Sequence, residues 1–217
     1  MDKRIFGKDC WVAAVTGFFT GLFATATIWF SGVKIPNLVL FSIILIAASP
    51  VWWVIVISVG QILGRKFHPV IAQLTKFSAV GFMSSSIDFI TLNFLSWLTG
   101  VTEGIIIGPI NMPGFILATI NAYLWDRKWV FKSERRGTRE LSKEMIGFFT
   151  VAGFGILINS AIVYLMTTYV GPDNFSPTVW LNISKIVATS VATFFNFVGY
   201  KMLVFPDVPE TTGQTVK

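Results

Sequence analysis

"WVAAVTGFFTGLFATATIWFSGV", residues 11–33, contains no Asp, Glu, Lys or Arg. Lys3, Arg4 and Lys8 precede it, a layout shared by secretory signal peptides and by first membrane spans. Length decides between them. The apolar region of a signal peptide runs about 7–15 residues, whereas a helix needs roughly 20 to cross about 30 Å of hydrocarbon. The stretch therefore reads as an uncleaved span. Five more apolar stretches, near 37–63, 77–98, 104–125, 146–170 and 178–203, meet the same requirement. Composition agrees: 53% of the 217 residues are hydrophobic and 13% charged, against roughly 25% charge in soluble domains. The expected fold is all-α, a polytopic membrane protein with six transmembrane helices.

Basic residues orient such a chain. With both termini cytoplasmic, the inner side receives Lys3, Arg4, Lys8, Arg65, Lys66, Lys76, Arg127, Lys128, Lys132, Arg135, Arg136, Arg139, Lys143, Lys201 and Lys217. The outer side receives Lys34, and Lys185 falls inside a span. In loops this short, that asymmetry predicts an inner (plasma) membrane protein with cytoplasmic ends.

The later spans repeat. "FSAVGF" (residues 77–82) aligns with "FTVAGF" (residues 149–154), and "YLWDRKWVF" (residues 123–131) with "FVGYKMLVF" (residues 197–205). Residues 74–131 and 146–205 thus form two copies of a two-helix unit, and because each has an even number of spans the copies are parallel. The expected organisation is an accessory transmembrane hairpin at 1–73, a four-helix domain at 74–205 and a short cytoplasmic tail at 206–217.

This four-span core, with Phe-x-x-x-Gly at the head of each half and an aromatic-cationic ending, resembles the GtrA-like membrane proteins. The resemblance covers residues 74–205 and rests most on "YLWDRKWVF"; the second copy departs from the family pattern at Tyr200-Lys201 and Leu203. It implies translocation of a polyprenyl-phosphate-linked sugar from the cytoplasmic to the outer leaflet. Related domains form the membrane part of polyprenyl-phosphate sugar synthases, which implies an anchoring role as the alternative. Implied partners are the lipid-linked sugar, membrane lipids and a membrane-associated glycosyltransferase, with a homo-oligomer compatible and no nucleic acid.

The residues carry a parallel reading of their own. Arg127 and Lys128, and Lys201 in the second copy, stand where spans meet the cytoplasm, beside Trp125, Trp129 and Tyr200. Aromatic side chains of this kind favour the headgroup level, and a guanidinium grips phosphate oxygens through two parallel bonds. These positions fit a lipid-phosphate site flanked by interfacial aromatics, and equally an ordinary anchor with snorkelling cations. The loop "KSERRGTRELSKE", residues 132–144, reads as a solvated cytoplasmic segment.

Inside the spans, Asp88 and Lys185 are ionisable, and Asn121, Asn159 and Asn196 are the amides of most interest. A charge at the bilayer centre costs about 2.5–3.5 kcal/mol, so such residues face a partner or a wet cavity. The depths of Asp88 and Lys185 allow them to pair, either as a lock between helices or as the lining of a polar groove for the sugar; the alternative is a Lys185 that snorkels outward beside a protonated Asp88. Pro109 and Pro113 predict a broken fourth span or a shorter helix starting at Pro113. Cys10 and His68 each stand alone, so no disulfide framework or Cys/His metal cluster can be written. No Gly-x-x-x-x-Gly-Lys-[Ser/Thr] loop and no nucleophile-base set occurs. The expectation is a protein that is not an enzyme and uses no cofactor or metal.

Overall fold

The computed structural model describes residues 3–31, 35–100, 107–133, 137–170 and 177–206. Among them run six α-helices: α1 (Lys3–Ser31), α2 (Leu38–Lys66), α3 (Val70–Thr99), α4 (Ile107–Trp125), α5 (Thr138–Tyr169) and α6 (Pro177–Gly199). A π-helical turn follows α4 at Asp126–Val130 and another follows α6 at Tyr200–Val204. In hydrocarbon every backbone group must be satisfied within its own segment, so a chain this apolar has helices as its open solution. Segments Phe6–Ser31, Leu38–Lys66, Val70–Thr99 and Thr138–Ile158 are long and apolar enough to cross a membrane. At about 1.5 Å per residue, the 19 residues of α4 and 23 of α6 also match the hydrocarbon thickness. This is a polytopic all-α membrane protein.

The helices extend beyond the apolar stretches. α3 starts at Val70 rather than near 77, and α5 at Thr138 rather than near 146, so half of the expected 132–144 loop is helix. Glu144 in that added turn is buried and accepts a 2.6 Å bond from the Ser133 hydroxyl. α4 runs unbroken through Pro113, which corrects the expected break and the shorter helix. The pyrrolidine removes one backbone bond without ending the helix. Gly114 beside it lets α3 come close: a Cβ there would meet Asp88 Oδ1 at 2.7 Å.

The chain divides into two compact units, Met1–Lys132 and Ser133–Lys217. The first holds α1 to α4 and the first π turn, with α3 packed against α1, α2 and α4. The second holds α5, α6 and the second π turn. The leading hairpin therefore shares its unit with the first repeat.

Packing in the first unit brings helices together at small residues and leaves many large apolar ones outside, as lipid solvent allows. Gly17 and Gly21 of α1 meet the α2 backbone: a Cβ on Gly17 would lie 2.7 Å from Pro50 Cα, and one on Gly21 2.8 Å from the Leu45 carbonyl. Gly60 and Gly64 of α2 meet Thr75 and Ala72 of α3 in the same manner. Such small-xxx-small spacing lets helices approach where no hydrophobic force drives them together. Ile43, Val51, Trp52, Ile55 and Ile62 of α2 are exposed, a face suited to lipid tails. Hydroxyls within the spans mostly bond back to their own helix, as Thr16, Ser49, Ser86 and Thr119 do.

Candidate functional site

Both copies of the repeated ending adopt the same unusual backbone. The Phe131 amide donates to the Asp126 carbonyl at 2.8 Å, and the Phe205 amide to the Tyr200 carbonyl at 2.7 Å, each five residues back. A π turn holds one more residue per ring than the α-helix it closes, so side chains past it are rotated away from the faces set by α4 or α6. Such turns are rare and concentrate at functional sites. Each one packs against the first helix of its own copy, α3 or α5.

What surrounds the two turns differs. In the first unit, Asp9 Oδ2 accepts from Lys76 Nζ at 2.6 Å and from Gln61 Nε2 at 2.7 Å. Asp9 Oδ1 accepts from the Trp129 indole N–H at 2.8 Å. One carboxylate thus ties α1, α2, α3 and the π turn together, and all four side chains are buried. The Lys76 ammonium also lies 5.6 Å from the Trp129 ring centroid, within cation–π range. Asp9 and Lys76 form a buried ion pair. Buried charge of this kind persists only when every partner is in place.

In the second unit the corresponding place is aromatic. The repeat alignment sets Lys76 against Phe148, Asp126 against Tyr200 and Trp129 against Leu203. Phe148 stacks on Tyr200 with ring centroids 4.0 Å apart and planes 6° from parallel. Phe205 meets the edge of Phe148 at 6.4 Å. Leu203 is 74% exposed, whereas its counterpart Trp129 is 5% exposed. The first turn is held by charge and hydrogen bonds, and the second by stacked rings.

Against this geometry the expected site residues fall as follows. Arg127 is half-buried and Lys128 exposed, on the turn that Trp129 anchors. Trp125 is half-buried and meets Trp129 edge-on at 6.3 Å. Trp129 and Tyr200, expected among the headgroups, face protein instead, because Asp9 satisfies the indole and Phe148 covers the phenol ring. Lys201 is half-buried on the second turn. Asp126, opening the first turn, is 1% exposed, and its Oδ1 has no hydrogen-bond partner among the described residues.

The polar-groove candidates divide between the units. Asn121 donates to the Ser84 hydroxyl at 2.9 Å, joining α4 to α3, and Asp88 lies against Gly114 on the same pair of helices. Asn196 lies against Gly155, joining α6 to α5, with its Oδ1 lacking a hydrogen-bond partner among the described residues. The side chains of Asn159 and Lys185 fall outside the described residues, and with them the expected Asp88–Lys185 pair.

Two hollows accompany the first unit. An apolar groove of about 650 Å³ lies between α1 and α3, lined by Phe23, Phe30, Ile90 and Phe94 among others and closed by Pro113. At the other end of α3, a cavity of about 190 Å³ lies against the π turn and is lined in part by Lys76 and Lys132. No group of three or more His, Cys, Asp or Glu able to hold a metal occurs among the described residues.

Comparison with known proteins bears on the same residues. The uncharacterized membrane protein YngA of Bacillus subtilis (strain 168) is 26% identical over 142 residues, covering 63% of this chain and 82% of that protein. No solved structure matches. The family model described as GtrA/DPMS, transmembrane domain, matches residues 76–205, from Lys76 of the buried pair to the Phe205 that closes the second π turn. With more than half of its length matched, the chain belongs to the GtrA/DPMS transmembrane-domain family.

Proposed function

We propose that this protein carries a polyprenyl-phosphate-linked monosaccharide from the cytoplasmic to the outer leaflet of the plasma membrane, both of its own termini being cytoplasmic. The supporting observation is the first π turn: Arg127 and Lys128 project from a backbone whose next residue, Trp129, is fixed by a buried carboxylate. A pre-positioned guanidinium loses little freedom on gripping a phosphate. Arg127, with Lys128 beside it, holds the phosphate while the prenyl chain stays in lipid. The sugar crosses along polar side chains of the first unit's spans, Asp88 and Asn121. Movement is passive, driven by supply inside and by a glycosyltransferase consuming the sugar outside.

The family description also covers a synthase membrane domain, so the rival role is that of an anchor for a polyprenyl-phosphate glycosyltransferase. Reconstitution into liposomes separates the two. A labelled polyprenyl-phosphate sugar should reach the opposite leaflet faster than in protein-free vesicles, without nucleotide or pH gradient, while the free sugar stays put. A rate equal to that of protein-free vesicles would leave the anchor. Movement of free sugar that follows the pH gradient would make the chain a small-solute transporter.

A further inference from the structure

The cavity against the first π turn brings together two cations from separate segments. Lys76 reaches it from α3, and Lys132 from the residue after Phe131, which closes the turn. Gln73, one turn before Lys76, adds an amide to the lining. Lys132 is exposed and sits at φ 50, a left-handed conformation that lysine seldom adopts. It lines the same hollow as Lys76.

Packing does not require a cation here. The second copy fills the equivalent place with Phe148 stacked on Tyr200, so the same turn forms around an apolar ring pair. Asp9 does not saturate Lys76 either. An ammonium has three donors, and Asp9 takes one, its own charge being shared with Gln61 and Trp129. Two lysines with one carboxylate leave a net positive hollow, and an anion between the ammonium groups would gain two charge-assisted bonds.

We propose that this cavity binds a phosphate group, with Lys76 and Lys132 as its two cationic ligands. The inference rests on the proposed function for its source of phosphate, a prenyl-linked headgroup, and adds to Arg127 and Lys128 an inner seat for that group. Lys132 thereby moves from a solvated loop to the site itself.

Titration calorimetry on the full chain in detergent tests this with inorganic phosphate, geranyl phosphate and geraniol. Geranyl phosphate should bind at least about tenfold more tightly than geraniol. Lys132→Ala should weaken both phosphates by about tenfold and Lys132→Glu abolish binding, while Arg139→Ala stays within about twofold of the native chain. Since Lys132 is exposed, these variants should fold, which the unchanged thermal transition checks. Inorganic phosphate binding as tightly as geranyl phosphate would keep the site and make free phosphate its ligand. Lys132→Ala behaving like Arg139→Ala, or geraniol matching geranyl phosphate, would overturn it. A native chain that binds geranyl phosphate through Lys132 but moves no lipid-linked sugar sinks the translocation reading alone. One that moves the sugar while Lys132→Glu binds as before sinks the cavity alone.

Discussion

Replacing Asp9 with alanine should lower folding stability by about 3–5 kcal/mol, the usual cost of removing one partner of a buried ion pair. The carboxylate serves three donors, so its loss strands the Lys76 ammonium, the Gln61 amide and the Trp129 indole together. Unfolding in mixed detergent micelles, followed by tryptophan fluorescence, measures the effect. Adding Lys76→Met to Asp9→Ala should recover part of the loss, since the double variant buries no orphan charge. An Asp9→Ala chain within about 0.5 kcal/mol of native, the range of ordinary surface changes, would mean that the network does not form.

Arg127→Ala should reduce the initial rate of lipid-linked sugar translocation by about tenfold or more, because a charge-assisted bidentate grip is lost. Arg127→Lys should restore part of the rate, keeping the charge but not the planar fork. Arg139→Ala removes equal charge from the exposed first turn of α5 and should stay within about twofold of native. Rates are compared in the same liposomes, normalised to folded protein. Equal losses at Arg127 and Arg139 would reduce the turn to a topological anchor.

Much of this fold is legible in the sequence, because hydrocarbon thickness sets a length that apolar runs either meet or miss. Six stretches meet it, and six helices form. Their ends are less legible: α5 begins with polar turns that read as loop although the chain is helical there, and α3 begins seven residues before the apolar stretch that marks it. The duplicated ending is visible as a pattern of aromatics and cations, but its π geometry is not, since it depends on which rings and donors the turn meets. Trp129 and Leu203 occupy equivalent places in that pattern and opposite environments in the structure.

The contacts of the hairpin are less legible still. Counting repeats makes residues 1–73 an accessory; in the structure Asp9 of that segment accepts from the Trp129 indole of the first π turn, and Gln61 donates to Asp9. The available signal was positional: with alternating helix directions, Asp9, Gln61, Lys76 and Trp129 all fall near the same end of the bundle. Which acid meets which base is a matter of packing and cannot be read from periodicity. The Gly17-x-x-x-Gly21 and Gly60-x-x-x-Gly64 spacings were the readable mark of the close packing that brings them together.

The central claim is that the two copies have diverged, the first into a cationic lipid-phosphate seat and the second into an aromatic closure. Photolabelling tests it most directly. Irradiating the reconstituted full chain with a photoactivatable polyprenyl phosphate, then mapping adducts by mass spectrometry, should place most label on residues 72–76 and 125–132. Labelling equal on residues 199–206, or concentrated there, would contradict the account.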